Sequence, residues 1–207
     1  MNTNTRRLSL ALAAATIGLG LVACAPAVTD TGDSSARDEV LGQSHAVVYE
    51  NEDVTEENSE ELRLESSADA EQEYGDSSDL SDQIKLRLFE WWGAWQPDYE
   101  SWLEIADGLY AADADITAIG GETQKYSDYR VAMKSQREQV DMEMGPIMNI
   151  TVDGNTATLV YHMYLTPKSS PDTTFDTIVT EYNTFEEVDG KLMVTDLHLY
   201  TDGGGMF

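Results

Sequence analysis

The chain has 207 residues, with 39 acidic against 12 basic side chains and a formal net charge of −27. So acidic a protein excludes nucleic acid as a partner, because phosphate binding needs a basic face, and it leaves only a covalent or apolar route to an anionic membrane. One cysteine rules out an intrachain disulfide, and the three histidines, His45, His162 and His198, are too scattered for a structural zinc cluster, so neither metal nor cofactor is implied.

The first element is a leader. Arg6 and Arg7 precede an apolar run from Leu8 to Val22, and Ala23 and Cys24 follow. At about 15 residues the run is short of the roughly 20 that span hydrocarbon, which marks a secretory signal rather than an anchor helix. Leu21-Val22-Ala23-Cys24 resembles a bacterial lipobox. That resemblance implies a signal peptide over residues 1–23, acylation of Cys24 as the first mature residue, and an outward-facing protein held on membrane lipid by its acyl chains.

Residues 24–82 read as an acidic, disordered tether. From Ala25 to Asp82 there are 18 acids against Arg37 and Arg63, too little apolar area to offset the entropy of ordering. His45-Ala46-Val47-Val48-Tyr49 is the one apolar cluster, read as an isolated blip in preference to a docking segment. Glu56 to Glu73 has helix-forming residues, but like charges at i, i+4 spacing oppose an isolated helix. As a flexible coil the segment would reach roughly 40–45 Å.

Residues 83–207 have the size of a single domain. Ile84, Leu88, Trp91, Trp92 and Trp95 recur at helical spacing, with Asp79 or Ser81 as N-cap. Pro97 restarts the chain, and Tyr99, Trp102, Leu103, Ala106, Leu109 and Tyr110 form a second apolar helical face. Asp115 to Ile119 is a short strand ended by Gly120-Gly121, and Ser127 is placed to cap a third helix. The period then becomes two. Residues 144–152, 155–166, 173–187 and 191–201 are strands, with Asp153-Gly154 and Asp189-Gly190 as hairpin turns.

The run Trp91 to Trp95, then Leu109-Tyr110-Ala111-Ala112-Asp113-Ala114-Asp115-Ile116, the glycine pair, a Tyr129-Arg130 helix and a closing strand from Leu192 to Tyr200 together resemble the SnoaL-like branch of the nuclear-transport-factor-2-like superfamily. The resemblance implies an α+β cone: three N-terminal helices packed on a curved, mostly antiparallel sheet, with an apolar pocket at the open end. Its enzymes include ketosteroid isomerases, polyketide cyclases and scytalone dehydratases. The isomerase residues do not carry over. Ala118 falls where the base would stand, Trp91 or a neighbour replaces the oxyanion tyrosine, and Asn183 replaces the oxyanion aspartic acid, keeping only the ability to donate a hydrogen bond.

Asp196, His198 and Tyr200 share one side of the closing strand, and His162 and Tyr164 lie on a central strand. Whether that side faces the pocket or the convex surface stays open. If it faces the pocket, Asp196 can orient His198 as a general base for dehydration or cyclisation. The expected binding set is completed by Trp92, Tyr110 and Asn183. Three readings follow: a binding domain for a small, partly apolar molecule or a partner; a dehydratase, cyclase or isomerase-like enzyme using His198 with Asp196; and a homodimeric assembly module joined through the sheet face.

Overall fold

A computed structural model describes residues 43–47, 49–50 and 53–201. The signal peptide, Cys24 and the first part of the expected tether lie outside these residues. Two of the expected helices form, the first from its expected cap and the second just after Pro97. Helix α2 (Leu80–Ala94) starts at Asp79, whose carboxylate accepts from the Ser81 amide, and α3 (Tyr99–Leu109) starts at Asp98, which caps through the Ser101 amide. Helix α4 (Tyr126–Gln139) differs from expectation: its N-cap position is Lys125, with no side-chain cap, because the chain enters it directly from a strand.

The strands around these helices are β2 (Tyr110–Thr117), β3 (Thr123–Lys125), β4 (Val140–Asp153), β5 (Thr156–Pro167), β6 (Phe175–Val188) and β7 (Lys191–Thr201). With β1 (Gln43–Val47) they form one seven-stranded sheet in the order β1-β4-β5-β6-β7-β2-β3. Every pairing is antiparallel except β7 with β2. Tyr110, expected to end a helix, instead opens β2. In the β6–β7 hairpin both turn residues have positive φ, Asp189 at 52° and Gly190 at 75°, the pair that a tight turn of matching twist needs. The β4–β5 turn is shifted by one residue from Asp153-Gly154, since Asp153 pairs with Thr156 and Gly154-Asn155 forms the loop.

Register shifts bend the sheet. Two lie in β4 between Met144 and Asn149, one lies between Thr184 and Phe185 on β6, and one interrupts the β2–β7 pairing. At the β4 irregularity a Cβ on Gly145 would stand 3.1 Å from the His162 Cβ, a tight contact that would require the neighbouring strand to give by a few tenths of an ångström. The Gly145 carbonyl accepts from the Trp92 indole at 3.2 Å. The helices pack into the hollow of the curved sheet, and Ile84, Leu88, Trp92, Trp95, Ala106 and Leu109 are almost wholly buried between the layers. This is the α+β cone, helices on a curved and mostly antiparallel sheet.

The segment expected to be a tether is folded from β1 onward. β1 pairs antiparallel with the far end of β4, so the cluster around His45 docks as an edge strand. Helix α1 (Ser59–Tyr74) packs on α2 and β4. Its buried face is Ser59, Arg63, Ser66, Ala70 and Tyr74, small and polar positions instead of an apolar stripe. Small residues allow a close approach: a Cβ on Gly93 would meet the Ser67 hydroxyl at 2.4 Å. Arg63 replaces apolar burial with directed bonds. Its Nη1 donates to the carbonyls of Trp92 at 2.8 Å and Trp95 at 3.2 Å, which end α2, and its Nη2 pairs with Glu143 at 3.4 Å.

Candidate functional site

Inside the cone lies a cavity of about 210 Å³. The apolar parity of the strands builds its floor. On β6 the inward positions are Thr177, Val179, Glu181, Asn183 and Phe185, all buried, while Asp176 and Tyr182 point outward. Glu181 is thus an acid in an apolar row. Its partners across the sheet are Leu159 on β5 and Leu199 on β7. Trp91 from α2, Tyr110 from β2, Tyr129 from α4 and Met163 from β5 form walls around it.

Glu181 is 3% exposed. Its Oε2 accepts from the Tyr161 hydroxyl at 3.0 Å and its Oε1 accepts from Asn183 Nδ2 at 2.8 Å. Burial pushes its pKa up to about 7, and the two hydrogen bonds oppose that rise without cancelling it. The phenols nearby respond in turn. Tyr110, Tyr129 and Tyr161 are all held above the ordinary tyrosine range, first by burial and next by the charge of Glu181. A carboxyl group ringed by three phenols and poised to exchange a proton near neutrality is the chemical centre of the cavity.

Arg137 marks another side of the same cavity. Its guanidinium carbon stands 5.2 Å from the ring centroids of both Trp95 and Trp102, and its Nη1 donates to the carbonyls of Gln96 and Pro97. Trp95 is also covered by Arg63 of α1, at 5.5 Å. One wall of the cavity is therefore clamped by two cations that are both bonded to backbone.

The structure divides the expected site residues. Tyr110 lines the cavity and Asn183 holds its carboxyl group. Trp92 does not line it: the side chain is fully buried, edge-on to Tyr161 at 5.0 Å, and Trp91 takes the lining position. Asp196, His198 and Tyr200 face the opposite side of the sheet, because Leu197 and Leu199 fill the inward positions of β7. There His198 Nε2 is 3.0 Å from Asp196 Oδ2, and Tyr200 meets Tyr182 edge-on at 5.6 Å in a shallow surface groove. The expected Asp196–His198 pair exists, but it does not enter the cavity. His162 and Tyr164 also point away from it, Tyr161 and Met163 being the inward residues of β5. His162 Nδ1 lies 2.6 Å from Asp176 Oδ1, and its ring stacks on Tyr164 at 5.8 Å. Of the three isomerase positions, Ala118 and Trp91 line the cavity and Asn183 adjoins it through Glu181. Sequence reasoning missed Glu181, although the parity of Val179 and Phe185 marks it as inward.

Among the described residues, no group of three or more His, Cys, Asp and Glu side chains is arranged to hold a metal ion, and no helix is long and apolar enough to cross a membrane.

No protein-family model matches this sequence. Comparison with curated proteins likewise gives no match. Among solved structures, a conserved protein from Planctomyces limnophilus DSM 3776 aligns at a TM-score of 0.46 and 13% identity, over 57% of this chain and 96% of that one. A candidate SnoaL-like polyketide cyclase from Jannaschia sp. CCS1 aligns at 0.44 and 15% identity, over 61% and 90%. A candidate ketosteroid isomerase from Shewanella frigidimarina NCIMB 400 aligns at 0.38 and 16% identity, over 59% and 95%. Likeness at this level is one of fold alone. The topology of the chain itself defines an α+β cone domain, helices packed on a curved and mostly antiparallel sheet around a cavity.

Proposed function

We propose that this protein binds a small, largely apolar molecule inside the cone, with Glu181 and its ring of phenols as the polar anchor. The observation that carries this reading is a buried acid at the floor of an aromatic and methionine-lined cavity, the arrangement of a site that is apolar in bulk and polar at one point. Met133, Met142, Met144 and Met163 give the wall adaptable packing. The experiment is a titration with p-tert-butylphenol, followed by tryptophan fluorescence and thermal unfolding. Saturable quenching and a rise in Tm are expected, equivalent to about 2.7 kcal/mol at 100 times the Kd. Both should vanish in Met163→Trp, which fills the cavity, and persist in His198→Ala. An unchanged Tm and no saturation in the wild type would overturn the reading.

The second reading is enzymatic, and Glu181 favours it. A carboxyl with a pKa of about 7 can take a proton from a substrate and return it at neutral pH. Asn183 Oδ1 is buried and unpartnered among the described residues, so half a turn of the amide would let it accept from the protonated acid. Dehydratase, cyclase or isomerase chemistry would then use Glu181 in place of the expected His198 and Asp196. The resemblance of Leu21-Val22-Ala23-Cys24 to a lipobox supports a location for either reading: the mature chain held outward on the cell membrane by acylated Cys24. Metabolic labelling with a palmitate analogue tests this, since wild type should be labelled and Cys24→Ala should not.

A further inference from the structure

The Glu181 carboxyl has donors but no counter-charge. Both of its oxygens accept hydrogen bonds, from the Tyr161 hydroxyl and the Asn183 amide, and both donors are neutral. Among the described residues no lysine, arginine or histidine pairs with it, and no cation figures among the causes of its raised pKa. A buried charge is ordinarily paired. The groups facing this one from the packed elements are Tyr161 on β5, Tyr110 on β2, and Tyr129 and Arg137 on α4. Arg137 is the only cation of the set, and its charge is already engaged by the faces of Trp95 and Trp102 and by the Gln96 and Pro97 carbonyls.

The walls beside the carboxyl are electron-rich rings. Trp91, Tyr110, Tyr129 and Tyr161 all line the cavity, and each presents a ring to which a cation can be attracted. The chain as a whole carries −27, which draws small cations toward the protein and repels anions. A carboxylate without a counter-charge among the described residues, a ring of aromatic walls and a strongly negative molecule all call for the same missing component.

Resting on the reading of the cone as a ligand site, we propose that its occupant is a small organic cation, an alkylammonium with an apolar body, whose charged head sits between Glu181 and the phenol ring.

An isosteric pair of probes tests the charge alone. Phenyltrimethylammonium and tert-butylbenzene have the same shape and differ by one positive charge. Each is titrated into the full-length protein at pH 8 and followed by isothermal calorimetry and tryptophan fluorescence. The cation should bind at least about tenfold more tightly than its neutral twin, a ratio in the range of cation–π and ion pairing together. In Glu181→Gln the ratio should fall toward one while tert-butylbenzene binding is retained, which also reports that the variant is folded. The cation's affinity should rise between pH 6 and pH 8 as Glu181 ionises, and the affinity of the neutral twin should not. If both probes bind equally, or the neutral one more tightly, the charge preference is wrong and the cavity reading stands. If neither binds, both fall.

Discussion

The two faces of one sheet hold the same kinds of groups in opposite circumstances. On the outer face Asp176 meets His162 at 2.6 Å and Asp196 meets His198 at 3.0 Å, each acid roughly half exposed. On the inner face Glu181 lies among Leu159, Leu199 and tyrosine rings, and among the described residues the donors that reach it are neutral. The His198–Asp196 pair, open on both sides, gains little, because water already solvates both partners, whereas His162 is buried beside its half-exposed acid. A buried acid feels every missing partner, because nothing else solvates it. Side-chain identity made the histidines the natural candidates; burial makes Glu181 the acid whose pKa is pushed up to about 7.

The largest expected effect is on the inner face. The folded-state pKa of Glu181, about 7, lies above the ordinary 4.5, so its contribution to stability is full below pH 4.5 and is lost as pH rises through 7. A shift of that size corresponds to about 3 kcal/mol. Glu181→Gln should remove this loss and leave a protein more stable than wild type at pH 8, measured by urea unfolding from pH 5 to pH 8. Equal pH profiles for the two proteins would break the comparison. Tyr161→Phe should cost less, about 1.5–3 kcal/mol at pH 8 where its hydroxyl donates to a charged group, and less again at pH 5. The same unfolding series reads both pH values, and an effect independent of pH would mean that Tyr161 serves packing only. Smallest is the outer face: His198→Ala should change stability by no more than about 0.5 kcal/mol and leave ligand quenching intact. A lost ligand response there would move the functional face outward.

Much of the fold was legible because local chemistry agreed with it. Asp79 caps α2 as its position predicts, Pro97 separates two helices, and Asp189-Gly190 turns β6 into β7. What the sequence concealed was α1. A helix is recognised by an apolar stripe, and α1 buries two serines, an arginine, an alanine and one tyrosine, packing closely at Gly93 and bonding to two carbonyls supplied by another helix. No window of its own residues contains those partners. Of the site, Tyr110 and Asn183 were legible and Trp92 was misplaced by one position. The facing of β7 stayed open although Leu197 and Leu199 carry the parity that turns His198 outward. Glu181 was hidden for a different reason: an acid in a chain so rich in acids draws no notice until its neighbours on alternate positions are seen to be buried.

The joint made by Arg63 has a mechanical consequence. A pull on the chain ahead of β1 acts first on a five-residue edge strand, which can peel from β4 one pair at a time. The load next reaches α1, where it meets a guanidinium bonded to the Trp92 and Trp95 carbonyls at the end of α2. The first step is an unzipping and yields at low force; the second must break several bonds together and resists. Because Trp95 is also a wall of the cavity, a pull strong enough to free α1 would reach that wall, whereas a weaker one would be absorbed in β1.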